Sequence, residues 1–547
     1  MRAFLGIDVG TGSARAGVFD ERGRLLGRAS EPIEIFRPVE DFVEQSSDDI
    51  WGAVSRVTAG AMRAASLQTD AIAGIGFDAT CSLVVLDADD RPLTVSPSGK
   101  ANQNIIAWMD HRAAIETEII NSRNDDVLRY VGGRISIEMQ MPKLLWLKRH
   151  LPQTWQKVGR FFDLPDYLTY RATGKDIRSH CSLVCKWTYL GHENGGRGAW
   201  SSRFFENANL MELLDDGAHR IGRDVRPLGG WLGELTERAA SELGLNPGIA
   251  VGVSIIDAHA GGLGLLGMSE GEQPQVSKSF EDRIALISGT SSFHMAVSQE
   301  PRFVPGIWGP YFSAMIPGLW LNEGGQSASG ALIDHVIDSH CRGAELRQTA
   351  ETSGLTVYAL LNDLLNELAS KTDFPAELTR DLHVLPYHNG NRSPRADTTL
   401  RGMVSGLRLG DSVEQLALLY LATIQAIAHG TRHIIETLNT HGYAVTTLAI
   451  TGSDAKNPVF LREHADITGC DILLPETEEA VLLGAAMLGA TAAGEYATLP
   501  EAMATMSRVA SRIKAANSRV REYHDNKHRV FFRMHHDQQA YRALMGG

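Results

Sequence analysis

The sequence predicts an α/β protein built from two similar domains, and three observations carry that expectation. The chain has 547 residues, more than a single hydrophobic core accommodates. Residues 3–20, AFLGIDVGTGSARAGVFD, read as an apolar strand, a turn at Gly10-Thr11-Gly12-Ser13 and a second apolar strand. Residues 285–297, ALISGTSSFHMAV, repeat that plan around Gly289-Thr290-Ser291-Ser292, and the two turns align without a gap. One such hairpin opening each half of a long chain implies two like domains.

The two turns have the chemistry of anion binding. Glycines let the backbone approach an anion and present its N–H groups. Thr11 and Ser13 add hydroxyls, and Arg15 adds a fixed positive charge two residues past the turn. Asp8, at the end of the first strand, is placed to hold a divalent metal bridging phosphates. The matching position in the second copy is Ile287, so this carboxylate occurs once. A plain glycine hairpin has the same local pattern, and a short motif alone does not separate the two readings. The repeat favours two domains that face one nucleotide.

Hydrophobic residues make up 43% and charged residues 21%, the balance of a soluble globular protein. A formal net charge of -13 disfavours nucleic acid or an anionic membrane as a partner. The five cysteines, Cys81, Cys181, Cys185, Cys341 and Cys470, are scattered and contain no C-x-x-C. That speaks against a disulfide framework or a zinc site and for a reducing compartment. The N-terminal apolar run is cut by Asp8, too soon for a signal peptide. No uninterrupted apolar run is long enough to span a bilayer, and the expected location is the cytoplasm.

After the first hairpin, residues 25–35 read as a further strand. Residues 46–65 read as an amphipathic helix, with Ser47 or Asp48 as cap and Ile50, Trp51, Val54, Val57 and Ala61 as its apolar face. Residues 71–77 read as a buried strand running into Asp78-Ala79-Thr80-Cys81-Ser82, and residues 83–86 return as a strand. Ligand groups collect at such strand ends in α/β sheets; side-chain bonds from Asp78 and Thr80 would equally hold a plain turn. Residues 105–113, IIAWMDHRA, set Asp110 between a short strand and a helix. Asp110 reads there as an N-cap, and Asp110 or Arg112 reads as a contact to a polyhydroxyl substrate; both can hold together. Residues 139–150 and 161–173 read as helices, the second with Asp163 and Pro165 near its start, and residues 191–200 read as a glycine-rich loop. Lys186, in CSLVCKWTYL, sits between apolar residues that would shelter its ammonium, although most lysines are solvated.

The strongest candidate for chemistry is Asp257. Residues 249–256, IAVGVSII, read as a buried strand, and residues 258–267 as a small-residue helix. An aspartate at that junction lies by the positive end of a helix, which keeps it ionised. It can accept a proton from an alcohol attacking phosphorus, or help hold the metal; a plain helix cap is the alternative. His259 reads as a packed core histidine, with a second polar contact as the alternative. Residues 269–281 are polar and carry the expected domain boundary. Residues 320–329, WLNEGGQSAS, read as a strand into a glycine turn that presents Glu323 to a sugar, and a helix follows over residues 327–340. Residues 387–397 read as a polar surface loop and residues 413–438 as a long helix. Residues 448–458, LAITGSDAKNP, run from a strand through Gly452-Ser453 into a helix that begins near Pro458. Residues 470–475 read as a strand, and residues 478–493 as a small-residue helix packed closely beside it. From Thr498 the tail reads as helical, folded back on the second domain.

With these pieces in order, the sequence resembles the FGGY family of carbohydrate kinases over nearly its whole length. The matching segments are GIDVGTGSARAGVFD at 6–20, AWMDHRA at 107–113, DAHAG at 257–261, SGTSS at 288–292, EGGQSASG at 323–330, ITGSDAKNP at 450–458 and EEAVLLGAA at 478–486. The resemblance implies two actin-like, ribonuclease-H-like domains closing over ATP and a sugar. It implies phosphorylation of a primary sugar hydroxyl with ATP and Mg²⁺. It implies Asp257 as catalytic base, with Asp8 and Asp257 beside the metal. Thr11, Gly12, Ser13 and Arg15 match the first phosphate loop, and Gly289, Thr290 and Ser291 the second. Gly330, Gly452, Ser453 and Asn457 match positions near the nucleotide, with Ser453 and Asp454 standing where the family commonly has glycines. The turn TCSLV at 80–84 looks like that of the D-ribulokinase branch. Lys186 and Glu323 match sugar-contacting positions of the L-ribulokinases. Asp78, Thr80, Cys81, Asp110 and Asp257 complete the expected sugar contacts.

The turn lacks the Q-M-H-G pattern of xylulokinases and the R-E-T pattern of glycerol kinases. The favoured substrate is therefore D-ribulose, with ribitol, L-ribulose, D-xylulose and glycerol as alternatives. A non-catalytic sugar or nucleotide switch of the same fold is the rival class, and the presence of Asp257 argues against it. The expected domains are residues 1–270 and 271–495, with a helical extension over 496–547. A homodimer is compatible with this reading.

Overall fold

The computed structural model describes residues 2–271, 280–516 and 518–546. The run Ser277-Lys278-Ser279, part of the expected boundary, lies outside the described residues. The chain forms two mixed sheets of the same design. The first has the strand order Trp231–Glu234, Ala250–Gly252, Ile72–Ala79, Ala3–Val9, Ser13–Asp20, Leu25–Pro32. The second has the order Trp308–Phe312, Trp320–Gln326, Ser292–Ser298, Arg283–Ser288, Thr447–Thr451, Asp471–Pro475, Val509–Ile513. In each, the hairpin recognised in the sequence begins an antiparallel run, and its first strand pairs in parallel with a strand from much later in the chain. The fold is that of two actin-like ATPase domains. Ala3–Val9 is buried along its whole length, as a strand covered on both faces must be.

Register decides which side chains meet. Parallel pairing sets Asp8 beside Asp78. The two-residue strand Ile255–Ile256 pairs with the same strand at Asp78 and Ala79, so Asp257 emerges at the same sheet edge. The predicted strand over residues 249–256 is thus two short strands, interrupted at Val253-Ser254. The helix Asp257–Leu266 starts at once.

Several local readings change. The helix Ser47–Ala65 is capped by Ser46, whose Oγ accepts the Asp49 N–H at 3.3 Å. Ser47 is buried, and its N–H donates to Asn104. Residues 158–163 form a strand, because Phe161 and Phe162 pair with the strand Leu83–Asp87. The helix Leu164–Thr173 then carries Pro165 in its first turn. Glu323 lies within a strand, not a turn, and the helix after it runs Gly330–Ser339. The tail contains a strand, Val509–Ile513, paired with Asp471–Pro475, between the helices Leu499–Met506 and Ser518–Leu544.

The helix Ala480–Ala492 does not lie beside Asp471–Pro475. It docks on the first sheet, so closely that a Cβ on Gly76 would stand 1.8 Å from the Ala485 carbonyl oxygen. It also crosses the helix Asp257–Leu266, where a Cβ on Gly484 would stand 1.9 Å from the Ala260 carbonyl oxygen. The latter helix meets the second sheet at Ile287, close to Gly261. Each half therefore sends a helix across to the other. Small residues are what allow backbones to approach this far.

The second half buries neutral imidazoles. Burial holds His294 to about 3, His464 to about 4 and His524, in the tail helix, to about 3. Unfolding returns each to its ordinary value near 6.5, so the unfolded chain binds more protons between pH 6.5 and those values. The contribution of these three rings is therefore complete above about pH 6.5 and is lost as pH falls, by about 1.4 kcal/mol per pH unit for each group. In NMR titration of the folded protein these three rings are expected to stay unprotonated from pH 7 to pH 5; a ring that titrates near 6.5 would contradict its neutral burial.

Candidate active site

Three carboxylates converge at the edge of the first sheet. Asp8 and Asp78 are buried and Asp257 is half-buried. Asp8 Oδ2 accepts from Arg15 Nε at 2.6 Å, and Arg15 also pairs with Glu479 at 3.3 Å. Both Asp78 oxygens lack a hydrogen-bond donor among the described residues. Burial, Asp8 and Asp257 hold the Asp78 carboxyl well above the usual carboxylate range. Burial and then Asp8 push Asp257 up to about 6, opposed by the Ala258 N–H, which donates to its Oδ1 at 2.7 Å. Asp78 was expected among the sugar contacts. The register instead groups it with Asp8 and Asp257.

The first turn is braced from behind and open in front. Gly10 N–H donates to the Ser13 carbonyl at 3.0 Å, and Ile33 N–H to the Gly12 carbonyl at 3.1 Å. Gln45 Nε2 donates to the Thr11 carbonyl and Trp108 Nε1 to Thr11 Oγ1, both at 2.9 Å. A Cβ on Gly12 would meet nothing within 4 Å. In the second half, Ser329 N–H donates to the Thr290 carbonyl at 3.0 Å and Gly330 N–H to the Gly289 carbonyl at 2.8 Å. Asp454 Oδ2 accepts from Ser288 Oγ at 2.7 Å and from Ser329 Oγ at 3.1 Å. Gly452, at φ 104°, passes so near Ser288 that a Cβ would lie 2.1 Å from its carbonyl oxygen. A Cβ on Gly289 would lie 3.5 Å from Ser453 Oγ. The turn at 289–291, Gly330 and Gly452-Ser453 thus form one surface, tied together by Asp454.

Beside the carboxylates lies a second polar group drawn from both halves. Lys186, buried at the end of the helix His180–Lys186, holds its Nζ 5.1 Å above the Trp308 ring. It shares this region with Glu323 and Asp257, whose charges act on it or respond to it. Glu323 Oε2 lies 2.9 Å from His259 Nε2, and His259 Nδ1 lies 3.1 Å from Cys181 Sγ. Burial opposes charging His259, but Cys181 and Glu323 outweigh it and lift the imidazole to about 10. His259 is therefore a polar link between two domains rather than an inert core residue.

Residues 3–264 match the N-terminal domain of the FGGY family of carbohydrate kinases, and residues 284–493 match its C-terminal domain. The chain belongs to that family. A Xenopus laevis protein named FGGY carbohydrate kinase domain-containing protein is 49% identical over 99% of this chain and 98% of its own length. The D-ribulokinase of Saccharomyces cerevisiae is 39% identical over 90% of this chain and 72% of its own length. Among solved structures, the xylulose kinase of Rhodospirillum rubrum superposes with a TM-score of 0.77 at 20% identity, over 99% of each chain. That likeness concerns the fold.

As an FGGY kinase the chain is a sugar kinase that uses ATP, and some expected site residues need reassignment. Asp110 is neither an N-cap nor open to a sugar. Its Oδ1 accepts from Arg112 Nε at 2.8 Å, and its Oδ2 from the Val43 N–H at 2.6 Å. Arg112 reaches Glu44 at 2.8 Å under the Phe42 ring, and the helix begins only at Ala114. Asn457 is occupied as well. Its Oδ1 accepts the Val459 and Phe460 N–H groups as N-cap of the helix Pro458–Thr468, and its Nδ2 donates to Tyr420 Oη at 2.6 Å. Thr80 Oγ1 is 3.3 Å from Ser82 Oγ, and burial pushes the Cys81 thiol up to about 12.

Two residues were missed. Arg392, in the loop read as surface, reaches Glu138 of the first half at 3.4 Å, with its guanidinium 5.6 Å above the Trp308 ring. The pair of arginines in that loop was the available signal. Lys143 is fully buried and donates to the Ala107 carbonyl at 3.0 Å, which supports the Trp108 that holds Thr11. No helix among the described residues is long and apolar enough to cross a membrane.

Proposed function

We propose that this FGGY kinase phosphorylates a pentulose at its terminal primary hydroxyl, converting D-ribulose to D-ribulose 5-phosphate. The observation that carries the chemistry is Asp257, half-buried at a helix N-terminus, with Asp8 and Lys186 acting on its charge. Asp257 takes the proton of the sugar hydroxyl as that oxygen attacks the γ-phosphorus of ATP in line, and ADP leaves. N–H and hydroxyl groups of the two turns, with Arg15, stabilise charge on the transferring phosphoryl, so positioning and electrostatics supply most of the rate. Lys186 and Glu323 bind sugar hydroxyls. Closure of the two halves excludes water and limits wasteful ATP hydrolysis.

The carboxylates suit a hard divalent cation. Asp8, Asp78 and Asp257 offer oxygen donors alone, and both Asp78 oxygens lack a hydrogen-bond donor among the described residues. Magnesium favours such sites. These residues would hold Mg²⁺, which when bound neutralises phosphate charge.

The choice of D-ribulose is supported by the TCSLV turn at 80–84 and by the relative named D-ribulokinase. An ADP-coupled assay against D-ribulose, L-ribulose, D-xylulose, ribitol and glycerol tests it. D-ribulose is expected to exceed each of the others in kcat/KM by about 10-fold or more, a difference of about 1.4 kcal/mol. A higher value for any other sugar removes the assignment.

A further inference from the structure

Behind the sugar contacts, three metal-binding donors converge. Cys181 and Cys185 stand one turn apart on the helix His180–Lys186, and His259 enters from the helix that begins at Asp257. The two Sγ atoms and one His259 ring nitrogen all lie within 4.8 Å of one another, and all three residues are buried. The other ring nitrogen faces Glu323 at 2.9 Å. The C-x-x-x-C spacing has no C-x-x-C signal, and the histidine is 78 residues from Cys181, so the sequence hid the cluster.

A tetrahedral zinc ion with Zn–S near 2.3 Å and Zn–N near 2.0–2.1 Å spaces its donors about 3.5–4 Å apart. Cys181 Sγ and His259 Nδ1 lie 3.1 Å apart, and all three donors lie within 4.8 Å of one another, which brackets that span. Two thiolates and an imidazole select thiophilic cations over Mg²⁺. A ligating histidine ordinarily donates its outer N–H to a carboxylate, which fixes its tautomer, and Glu323 stands there.

We propose that Cys181, Cys185 and His259 form a buried site for a thiophilic divalent cation, zinc being the type, bound through both Sγ atoms and Nδ1. The site is separate from the Asp8, Asp78 and Asp257 carboxylates. Binding requires both sulfurs as thiolates and Nδ1 without a proton, so any proton held on those three atoms passes to solvent. The Nε2 proton stays and donates to Glu323. Through that 2.9 Å contact the metal is coupled to a residue of the proposed sugar site.

The test uses the full-length protein, expressed in zinc-supplemented and in cobalt-supplemented medium so that a buried site loads during folding. Elemental analysis is expected to give about one metal per chain. The cobalt form is expected to show thiolate-to-metal charge-transfer absorption, and zinc-edge X-ray absorption a shell with two sulfurs near 2.3 Å. Cys185→Ser is expected to lower affinity at least about 10-fold, and Cys341→Ser, at an exposed cysteine, to leave it unchanged. A metal-free product, a shell of oxygen and nitrogen alone, or undiminished affinity in Cys185→Ser would each overturn the site. Should Cys185→Ser be insoluble, the wild-type X-ray absorption shell decides alone. Metal content and spectra do not depend on which sugar is phosphorylated, so failure here is distinct from failure of the D-ribulose assignment.

Discussion

Asp257→Asn is expected to lower kcat by about 10²-fold or more while ATP still binds. The substitution keeps shape and the oxygen that accepts the Ala258 N–H, and removes only the ability to take a proton. If Asp257 served merely to start its helix, asparagine would replace it at a cost of at most about 1 kcal/mol of dipole interaction, with turnover unchanged. If it served merely as one of several metal donors, the Mg²⁺ concentration needed for half activity would rise while kcat at saturation recovered. Loss of kcat at saturating Mg²⁺, with nucleotide affinity preserved by calorimetry, separates the base from both. Near-normal turnover in a folded variant rules Asp257 out as base.

What the sequence made legible was local. The hairpins at Asp8 and Ile287 are single strand-turn-strand runs, and the Asp257 junction is a strand-helix boundary within a few residues. Glu323 was misread because the following Gly324-Gly325 looks like a turn. Pairing with the strand Ser292–Ser298, which sets Glu323 opposite Met295, overrides that preference. The Asp110 carboxylate is claimed by the Val43 N–H, 67 residues earlier, and Arg392 finds Glu138 across 254 residues. No local pattern encodes such partners. Asn457 is different, since an asparagine directly before a proline at a helix start is itself a cap signal. Its role is legible in Asn457-Pro458 itself, and the structure makes Asn457 the N-cap of the helix Pro458–Thr468.

Packing between the halves is the other feature with a large expected effect, and Gly76→Val tests it. Any Cβ there would lie 1.8 Å from the Ala485 carbonyl oxygen and 2.7 Å from its carbon, both helix backbone atoms. The helix cannot retreat, because on its far side Gly484 already lies against Ala260. Neither partner has a flexible side chain to move aside, so the clash displaces secondary structure, at ~3 kcal/mol or more. For a unit of about 250 residues this corresponds to a fall of about 6–12 °C in Tm, read by calorimetry. Gly52→Ala is the control: on the exposed-side helix Ser47–Ala65 its Cβ meets only the Arg56 guanidinium at 3.3 Å. Helix propensity then predicts a gain of up to about 1 kcal/mol. Gly6, two residues before Asp8, faces the same helix, its Cβ position 2.0 Å from the Leu482 carbonyl oxygen. Displacing that helix therefore shifts the strand that carries Asp8, and Gly76→Val is expected to lose kcat even at temperatures where it remains folded. A variant with unchanged Tm and kcat would mean that this helix is not docked on the first sheet.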